Sequence, residues 1–238
     1  DAGRALEREV ARIAREGGVR LVGPNCMQIL NTSARLNLVG TPFPEGRIAM
    51  ISQSGNLVRA VTEECGPLGL GFSSFVTVGN QADLKVHDYL DYLADDPDSK
   101  VILIYVEGLS AGTGQAFMDA ARRAVVRKPV LLLKGGVTGA GARSSVSHTG
   151  SLAGEARVMM QAMEQAGVLV ADRLDEVVPM LDALSRLPVP EGRRIAVVGG
   201  GGGHATLCAD ALEKAGLDVP EFSEETKAAV SLHLPPRA

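Results

Sequence analysis

Four short apolar runs punctuate this chain: "RIAMIS" (47–52), "FSSFVTV" (72–78), "KVILIYVE" (100–107) and "PVLLLK" (129–134). Between them the apolar residues recur at helical spacing. Strands that are hydrophobic at nearly every position need cover on both faces, and the intervening helices supply it. This alternation predicts an α/β fold built on a doubly wound parallel sheet. Helices are expected over "NLVRAVTEECGPLG" (56–69), "LKVHDYLDYLADD", "TGQAFMDAARRAVV", "EARVMMQAMEQAG" (155–167) and "LDEVVPMLDALSRL" (174–187). "VLVA" reads as one more short strand, and Pro179 is placed in or near the first turn of the last helix. Aromatic residues make up only 3% of the chain and Trp is absent, which suits helices packed tightly on a sheet better than a β-sandwich.

"PVPEG" (188–192) reads as a linker, after which "RRIAVVGGGGGHATLCADALEKAGLDVPEF" starts a new β-glycine-α-β unit. Three segments follow: a tail of one domain (1–43), a complete α/β domain (44–187) and the first part of another (190–238). The chain opens inside an amphipathic helix without an initiator Met, and Pro235, Pro236 and Arg237 come directly after another helix. A piece cut at both ends from a longer protein is expected.

Composition removes several classes of function. A net charge of −4 and an isoelectric point near 5.6 give no surface for nucleic acid. No apolar run reaches the roughly 18 residues of a membrane span, and no signal peptide is visible. Cys26, Cys65 and Cys208 are scattered without a CxxC pair, which argues against a disulfide framework or a metal site and fits the cytoplasm.

In open parallel sheets, chemistry collects at the carboxyl ends of the strands. Strand 47–52 runs into "SQSGN", which sets Ser52, Ser54 and Gly55 at a helix start. Strand 72–78 runs into "GNQAD", strand 100–106 ends in Glu107-Gly108, and strand 129–134 ends in Lys134. Beyond Lys134 lies "GGVTGAGARSSVSHTGSLAG", read as a bare loop with His148 near its end and a helix opening at "SHTGS". Helix starts with small residues bind anions through free N–H groups and the helix dipole. A histidine between two of them sits where a phosphate is welcome, and an acidic neighbour on its other ring nitrogen fixes the tautomer. Glu107 is the best-placed carboxylate. Taken alone, each stretch has a plainer reading: a Ser/Gly-rich loop is often only a loop, Ser is a common N-cap, and Glu107 is an ordinary strand-end charge. His87 and His233 fall in helical patterns and read as surface residues, and His204 after five glycines is ambiguous. "GGVTGAGARS" lacks the Lys-Ser/Thr of a P-loop, and "ISQSG" misses the first Gly of a nucleophile elbow. "GGGGGHA" fits a dinucleotide fingerprint only as any glycine run does.

Taken in order, "VRLVGPNCMQILN" (19–31), "RIAMISQSGNL" (47–57), "VTVGNQADLKVHDYLDYLADDPDSKVILIYVEGL" (76–109), "PVLLLKGG" (129–136), "SVSHTGSLAGEA" (145–156) and "VVGGGGGHATLCADALEKAGL" (198–217) resemble the NDP-forming acyl-CoA synthetases, the superfamily that includes ADP-forming acetyl-CoA synthetase and succinyl-CoA synthetase. The resemblance implies a flavodoxin-like (succinyl-CoA synthetase-like) sheet and the start of a second unit of the same class. It implies interconversion of acyl-CoA, phosphate and NDP with acid, CoA and NTP through a phosphohistidine. By motif position that residue is His148, and Glu107 orients it. Ser52, Ser54, Gly55, Thr149 and Gly150 would hold the phosphate at two helix starts. Gly23, Pro24, Asn25 and Cys26 match the "GPNC" segment that ends the CoA-binding domain, which puts Asn25 and Cys26 beside the thioester. Asn80 and Asp83 match a motif read as loop-fixing. The implied ligands are an acyl substrate and CoA, with ADP/ATP or GDP/GTP and Mg on a partner ATP-grasp domain or subunit, and an oligomer is expected. Most of the CoA-binding domain and all of the ATP-grasp module are missing from the match, so no turnover is expected of this chain alone.

The chain departs from the family where "TNAGGPG" is usual and "GGGGGHA" (199–205) stands, and where Gln28 replaces a common Gly. The competing reading is a ligand-sensing, synthetase-like regulatory module of a protein acyltransferase. Relatives of that kind have lost the histidine, and His148 is present here. A third reading is an unrelated flavodoxin-like binding protein.

Overall fold

The computed structural model describes residues 2–38, 43–149, 156–188 and 190–233, with the backbone alone at 4 and 145–149. The chain divides into two compact units, Asp1–Leu187 and Pro188–Ala238. In the first, strands β1 (Ile29–Asn31), β2 (Leu36–Asn37), β3 (Glu45–Ser52), β4 (Phe72–Thr77), β5 (Val101–Val106), β6 (Val130–Lys134) and β7 (Leu169–Ala171) form one sheet in the order β2-β1-β4-β3-β5-β6-β7. The five strands from β4 to β7 run parallel, and β1 joins β4 antiparallel. In chain order those five read 2-1-3-4-5, the flavodoxin-like winding, which reverses direction between β3 and β5.

Helices α1 (Ala2–Glu16), α2 (Gly55–Cys65), α3 (Val86–Asp95), α4 (Gly114–Val125), α5 (Gly139–Thr149), α6 (Ala156–Gln165) and α7 (Leu174–Arg186) complete the unit. Side chains alternate along each strand, so each buries two sets. Ile48 and Met50 of β3, with Leu103 and Leu131, pack under Val58, Val61, Val177 and Leu181 of α2 and α7. Ala49 and Ile51, with Ile102, Ile104 and Leu132, pack under Leu90, Phe117 and Met163 of α3, α4 and α6. This two-sided burial is why the strands lack polar alternation.

The segment 1–43 contributes β1 and β2 to the sheet edge, strands of three and two residues that are too short to leave a periodic signal. Two local expectations are corrected. The stretch read as a bare loop after Lys134 is helical from Gly139 to Thr149. Its sequence, "GAGARSSVSHT", has no apolar stripe, so periodicity could not reveal it. Pro179 is the sixth residue of α7, beyond the first turn, yet Val177, Val178 and Leu181 around it are buried. Their burial holds a helix that Pro alone would disfavour.

The second unit holds α8 (Gly202–Lys214) and α9 (Glu224–Ser231). The expected strand at its start is present only as a parallel bridge from Arg194 to Asp218, closed by Ile195 N–H to Asp218 O (2.8 Å) and Asp218 N–H to Arg193 O (2.9 Å). Gly201 stands at the N-cap of α8, so the glycine run does lead into a helix.

A candidate anion site at the reversal of the sheet

The carboxyl ends of β3 and β5 meet where the sheet reverses, and the residues there are tied together by side chains. Ser54 caps α2 by accepting from Leu57 N–H (3.3 Å). Ser52 is fully buried, and its hydroxyl accepts from Ser54 N–H (3.0 Å) and donates to Ser54 O (2.7 Å). The Ser52 hydroxyl thus folds the turn that presents Ser54 and Gly55. No hydrogen bond inside the described residues uses the Gly55 and Asn56 N–H groups at the first turn.

Glu107 follows β5 and is 7% exposed. Its peptide is held on both sides. Gln53, 6% exposed, accepts through Oε1 from Glu107 N–H and from Gly108 N–H (3.1 Å), and donates through Nε2 to Gly108 O (2.7 Å). Lys134, at the end of β6, donates through Nζ to Glu107 O (2.7 Å) and to Gly135 O. The Tyr105 hydroxyl donates to Glu107 Oε1 (3.2 Å). Burial lowers the Lys134 ammonium from its ordinary value, and the Glu107 charge opposes that shift. Burial raises the Tyr105 phenol, and Glu107 adds to it, so Tyr105 stays a donor. A Cβ on Gly135 would lie 2.5 Å from Tyr105 Oη and 3.2 Å from Glu107 Cγ, so a side chain there would push against the carboxylate.

The 20–28 segment is docked on the same edge of the sheet. Asn80 N–H donates to Pro24 O (2.9 Å) and Ala82 N–H to Gly23 O (2.8 Å). Met27 and Gln28 N–H groups both donate to Thr77 Oγ1 (2.7 and 2.8 Å). Met27 is 60% exposed and lies over the start of α2, where a Cβ on Gly55 would be 2.4 Å from its Sδ. Asn25 is exposed at φ 60, a left-handed backbone that Asn tolerates, and its Nδ2 reaches Asn80 Oδ1 (3.5 Å). The Cys26 thiol points back to Val22 O (3.5 Å). Asp83 has the loop-fixing part expected of it: its buried carboxylate accepts from Arg20 Nε (2.9 Å) and Leu21 N–H (2.9 Å).

That pinning carries a pH signature. The Arg20 guanidinium, and then the Leu21 N–H, hold the Asp83 carboxyl below its ordinary value. A depressed carboxyl adds stability above its unfolded value and loses it as pH falls through the folded value. Asp83→Ala should cost about 1–3 kcal/mol at neutral pH by removing the acceptor of the part-buried Leu21 N–H and the partner of Arg20. The deficit in urea unfolding should shrink as pH drops below about 4. A deficit that is the same at acid and neutral pH would count against this role.

Of the residues read from the sequence, the structure brings together Ser54, Gly55 and Glu107, with Asn25 and Cys26 on the adjoining segment. His148 and Thr149 have helical backbone within α5, which begins at Gly139, so the expected helix start at "SHTGS" is corrected: Ser147–Thr149 carry on a helix already eight residues long; their side chains, together with Gly150, lie outside the described residues. Gln53, Tyr105, Met27 and Gly135 were not singled out by sequence reasoning. Among the described residues no three His, Cys, Asp or Glu side chains are placed to share a metal ion, and no helix is long and apolar enough to cross a membrane.

Comparison with known proteins places these features in a lineage. Residues 45–184 match the succinyl-CoA ligase like flavodoxin domain. The alpha subunit of acetate–CoA ligase [ADP-forming] II from Pyrococcus furiosus is 40% identical over the whole chain, which spans 52% of that subunit. The 4-hydroxybutyrate–CoA ligase [ADP-forming] of Nitrosopumilus maritimus is 31% identical over 95% of this chain and 33% of its own length. Among solved structures, the dinucleotide forming acetyl-coenzyme A synthetase 1 of Ca. Korarchaeum cryptofilum, in complex with phosphate and ADP, superposes with a TM-score of 0.90 at 38% identity, covering 98% of this chain and 51% of that one. The chain therefore spans about half the length of relatives such as the Pyrococcus subunit and the Korarchaeum synthetase.

Proposed function

Because this chain belongs to the family of the succinyl-CoA ligase-like flavodoxin domain, we propose that it is part of an NDP-forming acyl-CoA synthetase and carries its phosphohistidine relay. The observation that bears most weight is the junction of β3 and β5: a capped helix start with Gly55 is joined through Gln53 to a buried Glu107. A helix start able to bind an anion, next to a carboxylate able to orient a histidine, is the arrangement this reading calls for where the sheet reverses.

The chemistry proceeds in three transfers. A phosphate oxygen attacks the thioester carbonyl, the C–S bond breaks, and CoA leaves as the thiol after taking a proton. A ring nitrogen of His148 then displaces the carboxylate of the acyl phosphate from phosphorus. An oxygen of the NDP β-phosphate finally displaces the imidazole, which regenerates His148 and gives NTP. Glu107 stabilises the imidazolium character that develops on His148 and fixes which nitrogen is free. Ser54 and Gly55 hold the phosphoryl oxygens at α2, and Thr149 and Gly150 do so from the histidine segment. The "GPNC" segment, which carries Asn25 and Cys26 and is docked on Gly79 and Asn80 through Pro24 and Asn25, borders the thioester side.

In this reading residues 1–43 are the tail of a CoA-binding domain, 44–187 the succinyl-CoA synthetase-like domain, and 190–238 the beginning of a second one. Nucleotide and Mg belong to an ATP-grasp domain or subunit. The names of the ADP-forming relatives support ADP over GDP.

The test is reconstitution. The protein that contains this chain, completed with a CoA-binding domain and an ATP-grasp module, is supplied with acetyl-CoA, phosphate, ADP and Mg²⁺. NTP formation that depends on all four is expected, and none from residues 1–238 alone. Turnover by the isolated chain, or none by the completed assembly with any short-chain acyl-CoA, would contradict the proposal.

A further inference from the structure

We infer that Gln53 is a positioning residue for Glu107, and that its carboxamide sets the distance between the carboxylate and the phosphate-binding helix start. The inference rests on the reading of Glu107 as the partner of His148. Its grounds are geometric. The β3–β5 register ends at Ser52 opposite Tyr105, and Gln53 N–H adds one more rung to Tyr105 O (3.0 Å). Beyond that rung β3 no longer pairs with β5, while on the other side β5 pairs with β6 as far as Val106 opposite Lys134. The Gln53 side chain takes over: Oε1 accepts from the Glu107 and Gly108 N–H groups, and Nε2 donates to Gly108 O at 2.7 Å. One carboxamide thus answers three main-chain groups of the Glu107-Gly108 turn while 6% exposed. The next residue, Ser54, caps α2. The clamp on Glu107 and the cap that orients Gly55 are therefore adjacent residues. Lys134 holds the other side of the same peptide through Glu107 O, so Glu107 is fixed along its backbone rather than by packing of its side chain alone.

The requirement is for one acceptor and one donor in this place. Glutamate at 53 meets it only when protonated: the neutral acid keeps an acceptor for the two N–H groups and an O–H for Gly108 O. Ionised, it opposes Gly108 O and adds a second buried negative charge at the Glu107–Gly108 turn. Leucine meets neither requirement at any pH.

The experiment follows phosphohistidine formation in the completed enzyme with γ-labelled ATP and Mg²⁺ across a range of pH, for wild type, Gln53→Glu, Gln53→Leu, Glu107→Gln and Gln53→Leu/Glu107→Gln. A misplacement of about 1 Å costs on the order of 100-fold, so both Gln53 variants should be slowed roughly 10- to 100-fold at neutral pH. The ratio of wild-type to Gln53→Glu rates should fall towards one as pH decreases, and the ratio for Gln53→Leu should stay flat. That recovery also shows that the Gln53→Glu chain is folded. In the Glu107→Gln background, Gln53→Leu should add less than about twofold, because the two act as one unit. Unchanged rates in the single variants, a pH-independent Gln53→Glu ratio, or full additivity in the double variant would overturn the inference while leaving the phosphohistidine reading in place. Absence of label in wild type, or full labelling of Glu107→Gln, would instead overturn the reading of the site itself, and the inference with it.

Discussion

His148→Asn is expected to abolish phosphoryl transfer to the protein and, with it, all NTP synthesis by the completed enzyme. Asparagine keeps a polar side chain of similar reach but has no ring nitrogen able to displace a carboxylate from phosphorus. The loss should therefore be total within detection, unlike the graded losses expected at Gln53. Stability should hardly move, because the sequence of α5 carries no apolar stripe to lose. The check is acid-labile, base-stable incorporation from labelled ATP, measured beside the thermal midpoint. Label retained in the variant would remove His148 from the mechanism. A large fall in the midpoint would show that the residue serves the fold.

The second large effect is structural and lies at the other end of the site. Gly79 follows β4 with φ +54, and a Cβ there would be 2.1 Å from Pro24 O and 2.6 Å from Asn25 O. Both obstacles are main chain and cannot swing aside. Gly79→Ala combines a left-handed backbone, which costs about 1–3 kcal/mol off glycine, with overpacking of similar size. The expected result is a loss of about 2–5 kcal/mol, or release of the 20–28 segment from Thr77, Asn80 and Ala82. Urea unfolding measures the first and amide exchange at Met27, Gln28, Asn80 and Ala82 the second. The proposal predicts that acyl-CoA-dependent steps fail in this variant while phosphorylation of His148 from labelled ATP survives, because Ser54, Gly55 and Glu107 are anchored elsewhere. Normal stability and unchanged amide protection would mean that the backbone approach at Gly79 is not the docking point.

Much of this architecture was legible because burial on two faces forces apolar strands. "RIAMIS", "KVILIYVE" and "PVLLLK" lie in β3, β5 and β6, with edges within two residues of the expected ones. Glu107 stood out as a charge at a strand end, and Ser54 as a cap. What the sequence hid depends on register and on main-chain contacts. Gln53 sits one residue past a strand, where any polar side chain reads as loop. Only the pairing of Ser52 with Tyr105 shows that it faces the next turn. The part of Ser52 in folding the turn was hidden for the same reason: its partners there are main-chain groups of Ser54. Gly79 and Gly135 look like loop glycines, and their need arises from backbone and side chains that come from far along the chain. The helix α5 was invisible because its residues carry no apolar period.

The central claim is that a phosphoryl group rests on His148 in the course of turnover. It is tested most directly by locating the label. The completed enzyme is incubated with γ-labelled ATP and Mg²⁺, digested under alkaline conditions that preserve phosphohistidine, and its peptides are sequenced by mass spectrometry. The account predicts one labelled peptide, containing His148, whose label is lost in acid and on adding acid substrate with CoA. Label on any other residue, a base-labile acyl phosphate, or turnover without a labelled protein would contradict it.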